Sequence, residues 1–181
     1  MKTIFLDRDG VITVEGGGYV ASPADIRYLP GALGSIARLN RAGWRVLIFT
    51  NQSGVGRGFI TAQGLQVVHN RLCQDAQKAG AEILAVYSCP HKPGDNCSCR
   101  KPLPGMLLQA AEEHSLDLRT AWAAGDTPRD IAAAAAVGTR TALLLSGHTR
   151  AYEVATFGES PPTIVCADLP SLVDYLITTH S

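Results

Sequence analysis

The chain has 181 residues, 46% of them hydrophobic and 18% charged, which suits one folded domain and excludes a disordered polymer. Sixteen basic residues balance sixteen acidic ones, which argues against a polybasic nucleic-acid or membrane binder but leaves room for a local phosphate site. Five cysteines suit no disulfide scaffold, no apolar run reaches the ~18 residues of a membrane span, and no cleavable leader is evident, so a reducing cytoplasm is expected.

Short apolar runs alternate with longer helical patterns. Residues 3–6 are the first strand candidate. Leu33, Ile36 and Ala37 mark one face of a helix that Gly43 ends. Residues 45–50 read as a buried strand. Leu65, Val68, Leu72 and Ala76 fall three and four apart, predicting a helix that stops near Gly80. Residues 82–88 give another strand, 89–103 a loop, and 105–114 a helix. A strand over 121–124, an alanine-rich helix over 129–137 and a core strand over 139–145 follow. Residues 163–166 make a small strand, and Asp168 caps a closing helix through Leu169, Leu172, Val173 and Leu176. Residues 16–18 and 149–162 are loop candidates. The alternation predicts an α/β fold, a doubly wound parallel sheet forming a single domain over 1–181. In such sheets functional residues gather at the carboxyl ends of strands, where Asp7, Thr50, Cys89 and Asp126 all fall.

Asp7-Arg8-Asp9-Gly10 follows the first strand. Two aspartates one residue apart can face one pocket, though Asp and Gly also favour plain turns. Gly125-Asp126-Thr127-Pro128-Arg129-Asp130 puts more acids at another strand end. Converging carboxylates suit Mg²⁺; equally, Asp126 can cap the next helix and Asp130 can sit in its first turn. Thr50-Asn51-Gln52-Ser53-Gly54 offers hydroxyls, amides and N–H groups to phosphate oxygens, and Arg100-Lys101 offers cations.

Cys89, His91, Cys97 and Cys99 lie within eleven residues. Three thiolates and one imidazole can wrap a tetrahedral Zn²⁺ with no open position, which makes the site structural; free thiols in a polar loop are the alternative. Zinc would pin Arg100 and Lys101 at the pocket mouth. Cys73 and Cys166 read as small buried hydrophobes.

In their order, the motifs resemble those of the haloacid dehalogenase-like phosphatases: DxDG, then a Thr, a Lys and GDxxxD, spanning residues 7–130. The resemblance implies attack on phosphorus by Asp7, with Asp9 protonating the leaving oxygen and then activating water. It implies that Thr50 and Lys101 stabilise the phosphoryl oxygens. Mg²⁺ would be held by Asp7, the backbone carbonyl of Asp9, and Asp126, with Asp130 orienting metal waters or Lys101. Within that superfamily the zinc loop resembles two groups, the D-glycero-D-manno-heptose-1,7-bisphosphate 7-phosphatases and the histidinol-phosphate phosphatases. Gly18-Tyr19-Val20, the run from Asn51 to Gly58 and the run from Lys101 to Leu107 favour the first. That implies removal of the 7-phosphate of a sugar bisphosphate, in nucleotide-activated heptose synthesis for lipopolysaccharide core. Substrate contacts are then expected from Glu15, Gly18, Tyr19, Asn51, Gln52, Ser53, Arg57 and Arg100, with Arg57 and Arg100 facing the second anionic group.

The five residues between His91 and Cys97 resemble the histidinol enzymes at least as much. Val11 stands where Thr is common, and Thr127 where many relatives have Lys. A nucleic-acid 3′-phosphatase shares the motif set, but the zero net charge and the lack of an Arg/Lys stripe weigh against it. A non-catalytic zinc- and phosphate-binding module would be expected to lose Asp7 or Asp9. No large cap domain is inserted, so the loops at 14–22, 51–60 and 89–101 shape the pocket. A cytoplasmic monomer without nucleic-acid or membrane partners is expected.

Overall fold

The computed structural model describes residues 2–16, 18–151, 157 and 160–179. Among the described residues six strands form one sheet: β1 (Lys2–Leu6), β2 (Trp44–Asn51), β3 (Ala85–Cys89), β4 (Trp122–Gly125), β5 (Arg140–Leu144) and β6 (Ile164–Cys166). Its order is β3-β2-β1-β4-β5-β6, and every pairing is parallel. Among the described residues four α-helices connect strands, α1 (Ala32–Arg41), α2 (Ala62–Lys78), α3 (Gly105–His114) and α4 (Pro128–Ala135), and α5 (Leu169–Thr179) follows β6. Among the described residues, no helix is long and apolar enough to cross a membrane.

The two-residue period of a strand sorts the core into two layers. Ile4 and Leu6 of β1 join Ile36 of α1, Leu72 of α2 and Leu172 of α5 on one face. Phe5, between them in sequence, joins Phe49, Met106 and Leu107 of α3 and Ala134 of α4 on the other. Phe5 and Phe49 meet edge to face with ring centroids 6.2 Å apart. Strand order reverses between β1 and β4, and the crevice at such a switch point is where an open parallel sheet places its ligands.

Most expected elements are present, with shifted ends. The third strand begins at Ala85, three residues later than predicted, because the Glu82 N–H is taken by the Asn40 side chain at 2.7 Å. β2 runs one residue past its predicted end, to Asn51, and β3 includes Cys89, expected in the loop, because these two residues pair with each other. Helix α4 is capped by Thr127 and not by Asp126: Asp130 Oδ2 accepts from the Thr127 N–H at 2.9 Å and its hydroxyl at 2.6 Å. Asp168 does cap α5, accepting from the Ser171 N–H at 2.9 Å. Cys166 is buried at its strand end, but Cys73 is only half-buried. Part of each predicted loop, Gly17 in the first and half of 149–162 in the second, lies outside the described residues.

Candidate active site

Asp7 is the first residue beyond β1, and its N–H donates to Ala124 O of β4 at 2.9 Å. This fixes Asp7 at the switch point, beside Asp126 at the end of β4. Gly10 (φ 79°) turns the chain there, and a Cβ at this residue would overlap the Asp126 carboxylate. The close approach explains the glycine after the two aspartates.

Lys101 is 2% exposed, and its Nζ has three acceptors: Asp7 Oδ2 at 3.0 Å, Asp130 Oδ1 at 2.5 Å and Phe49 O at 2.9 Å. Burial alone would lower its pKa, but Asp130 and Asp7 outweigh burial and raise it, so it stays an ammonium ion. Asp130 therefore serves twice, on Lys101 through one oxygen and on the α4 cap through the other. Burial raises the Asp7 carboxyl to about 7, with Lys101 opposing and Asp130, Asp9 and Asp126 adding to the rise.

Asp9 has the opposite environment. Its Oδ1 accepts from Arg8 Nε at 2.9 Å and from the Thr13 hydroxyl at 2.9 Å. Its Oδ2 accepts from Arg8 Nη2 at 2.7 Å and Gln52 Nε2 at 2.9 Å. Burial would raise this carboxyl, but the charge and hydrogen bonds of Arg8 hold it below the usual carboxylate range. Gln52 Nε2 also donates to Thr50 Oγ1 at 2.9 Å, which leaves the Thr50 hydroxyl proton for an incoming oxygen.

Asp126 carries the surplus charge. Its Oδ2 accepts from the His148 N–H at 2.8 Å, while its Oδ1 is buried with no partner among the described residues. Burial raises it to about 7, offset by the His148 N–H and reinforced by Asp130 and Glu15. Glu15 in turn pairs with His148 Nε2 at 2.6 Å. Oxygens of Asp7, Asp126 and Asp130 lie within 4.8 Å of one another. An orphaned buried carboxylate oxygen among three acids fits a hard divalent cation, which takes oxygen ligands.

Two connected cavities open here. A narrow inner cleft is lined by Asp7, Asp9, Thr50, Lys101, Asp126 and Asp130. Glu15, Asn51 and Arg129 line both this cleft and an outer cavity of about 520 Å³. Gly18, Tyr19, Gln52, Ser53 and Arg100 line the outer cavity, but Arg57 is exposed and lies away from both. Its place as a rim cation is taken by Arg27 and Arg129. Asn51 acts as a brace: its side chain exchanges two 3.1 Å hydrogen bonds with the backbone of Lys101.

The cysteine–histidine cluster converges beside the pocket. Cys89 Sγ lies 3.8 Å from Cys97 Sγ and 3.6 Å from His91 Nδ1, and His91 Nδ1 lies 3.3 Å from Cys99 Sγ. Tetrahedral zinc with ordinary bond lengths has edges of ~3.8 Å between sulfurs and ~3.6 Å between sulfur and nitrogen. The donor set and its spacing fit that ion. Burial pushes the Cys89 thiol up to about 12, so ionising it calls for a cation alongside. Arg100 donates to His91 O at 2.9 Å, which ties the first cation after the cluster to the loop itself.

Arg8, Thr13, His148, Arg27 and Arg129 are the site residues that sequence reasoning missed. For Arg8 a signal existed: strand alternation carried past Leu6 turns residue 8 toward the α1–α2 layer, the opposite way from Asp7.

Comparison with known proteins places this architecture. A family model described as HAD-hydrolase-like matches residues 98–172, and one described as polynucleotide kinase 3 phosphatase matches residues 2–127. A Bordetella bronchiseptica protein named D-glycero-beta-D-manno-heptose-1,7-bisphosphate 7-phosphatase is 40% identical over 177 residues, 98% of each chain. A Pseudomonas putida protein of the same name is 37% identical over 177 residues, 98% of this chain and all of the relative. The crystal structure of the B. bronchiseptica D,D-heptose 1,7-bisphosphate phosphatase, complexed with magnesium and phosphate, superposes with a TM-score of 0.91 at 39% identity over 99% of both chains.

Proposed function

The chain belongs to the haloacid dehalogenase-like phosphatases, in the heptose-bisphosphate 7-phosphatase family, and from that premise we propose that it removes the 7-phosphate of D-glycero-D-manno-heptose 1,7-bisphosphate at Asp7. The observation that carries the substrate reading is the pairing of cavities. A carboxylate cleft sized for one phosphoryl group opens into a larger space rimmed by Arg27, Arg100 and Arg129. A bisphosphate needs both: one phosphate at the nucleophile and one at the cations.

Asp7 attacks phosphorus, forming an aspartyl phosphate as the sugar oxygen leaves. Lys101 favours the ionised form of Asp7 and aims it, held in turn by Asp130 and Phe49 O. The Thr50 hydroxyl donates to a phosphoryl oxygen. Asp9 gives the leaving oxygen its proton, then takes one from the water that hydrolyses the intermediate. Asp7, Asp126 and the Asp9 carbonyl would hold Mg²⁺, which when bound screens the charge between carboxylate and phosphate. Cys89, His91, Cys97 and Cys99 would hold a structural zinc that fixes the loop presenting Arg100 and Lys101. The whole chain acts as a single domain and a monomer in the cytoplasm, with no nucleic-acid or membrane partner.

The test is a phosphate-release panel: both anomers of the heptose bisphosphate, heptose 7-phosphate, histidinol phosphate and a 3′-phosphorylated oligonucleotide. The bisphosphates are expected to give the highest kcat/KM. Arg27→Ala, at a cation that lines only the outer cavity, is expected to lower that value on the bisphosphates while leaving heptose 7-phosphate unchanged. Preference for histidinol phosphate or the oligonucleotide would overturn the substrate reading.

A further inference from the structure

Arg8 stands between the two catalytic aspartates, yet nothing in the mechanism above uses it. It is 1% exposed, among the most completely buried large side chains of the protein. Burying a guanidinium is costly, and Arg8 Nη1 is left without a partner among the described residues. An apolar side chain would fill the same space at less cost, so packing does not account for this arginine.

Its contacts do. Nε and Nη2 form a two-pronged fork on the two oxygens of Asp9, at 2.9 and 2.7 Å. Nη2 also donates to Gln52 Oε1 at 2.9 Å, aligning the amide whose Nε2 reaches Asp9. The Arg8 backbone N–H donates to Asp7 Oδ1 at 2.6 Å. Thr13, whose backbone N–H donates to Arg8 O at 2.9 Å, adds with its hydroxyl the fourth donor to Asp9. The fork is the charged and geometrically rigid member of this set. Gln52 and Thr13 are neutral single donors, so the fork is the member that fixes the orientation of the carboxylate.

We propose that Arg8 is a positioning residue whose buried fork holds the Asp9 carboxylate in place for proton transfer to the leaving oxygen, with Thr13 as its support. The proposal rests on the reading of Asp9 as the general acid. Proton donation matters most when the leaving oxygen is a poor leaving group, so the readout is the ratio of kcat/KM on an alkyl phosphate to that on p-nitrophenyl phosphate. A purely structural lesion lowers both and leaves the ratio alone.

Metal-loaded Asp9→Asn, Arg8→Lys, Thr13→Val and Thr13→Ser are compared, each checked for folding by circular dichroism. Arg8→Lys keeps the charge but loses the fork, and is expected to lower the ratio on the order of tenfold, a partial loss of general-acid catalysis. Thr13→Val is expected to lower it less, and Thr13→Ser to restore it. Thr13→Val and Thr13→Ser carry the test if Arg8→Lys does not fold. A ratio that falls in Asp9→Asn but stays unchanged in the folded Arg8 and Thr13 variants overturns this proposal. A ratio unchanged in Asp9→Asn removes the general-acid reading itself, and the proposal with it.

Discussion

His69 links the stability of this protein to pH in a way one substitution isolates. It lies on α2, is 5% exposed, and its Nε2 has no partner among the described residues. Burial, aided by the nearby charge of Arg8, lowers its pKa from 6.5 to about 4. The fold therefore binds the neutral imidazole, while the unfolded chain takes up a proton as pH falls through 6.5. Stability from this group is fully present above pH 6.5, is lost as pH drops, and levels off below about 4. A shift of this size gives His69 a loss of about 2 kcal/mol between pH 7 and pH 5. Other groups titrate in the same window, so the quantity to measure is the difference between wild type and His69→Gln. Urea denaturation at pH 7 and pH 5 should show the wild type losing about 2 kcal/mol more than the variant. Parallel losses would refute the reasoning, showing that His69 is protonated or solvated in the folded state.

Two further predictions concern the ions and ion pairs that organise the site. Lys101→Met leaves Asp7 and Asp130 buried without their counter-charge, so thermal or urea unfolding should register a loss of about 3–5 kcal/mol together with loss of turnover. Metal analysis of protein purified without chelators should find zinc at the cysteine–histidine cluster. Stripping it should lower the melting temperature and depress kcat/KM, because Arg100 is tethered to that loop.

The parts of this protein written in local sequence were the parts that could be read. Short apolar runs alternating with helical patterns declared the parallel sheet, and acids placed after strands declared the site at the strand ends, because one chain segment supplies each signal. The cysteine–histidine cluster was legible for the same reason: all four donors lie between residues 89 and 99. What stayed hidden depends on pairings between distant segments. Arg57 has the right chemistry but sits on the exposed part of its loop, while Arg129 and Arg27 reach the cavity from α4 and from the loop before α1. The Glu15–His148 pair joins residues far apart in the chain, one beside the first motif and one beyond β5. The start of β3 was misplaced because Asn40, also remote in sequence, captures the Glu82 N–H. Asp130 was read both as a first-turn acid of its helix and as the group that orients metal waters or Lys101; which oxygen goes to Lys101 and which to the Thr127 cap follows from the packing of α4 against the strand ends.

Whether Asp7 carries the phosphoryl group is decided most directly by mass spectrometry of protein acid-quenched during turnover of the heptose bisphosphate. The expected result is phosphate on the peptide containing Asp7, absent from Asp7→Asn, which should also lack turnover. Steady turnover with Asp7 unmodified at every quench time, or normal turnover by a correctly folded Asp7→Asn protein, would contradict it.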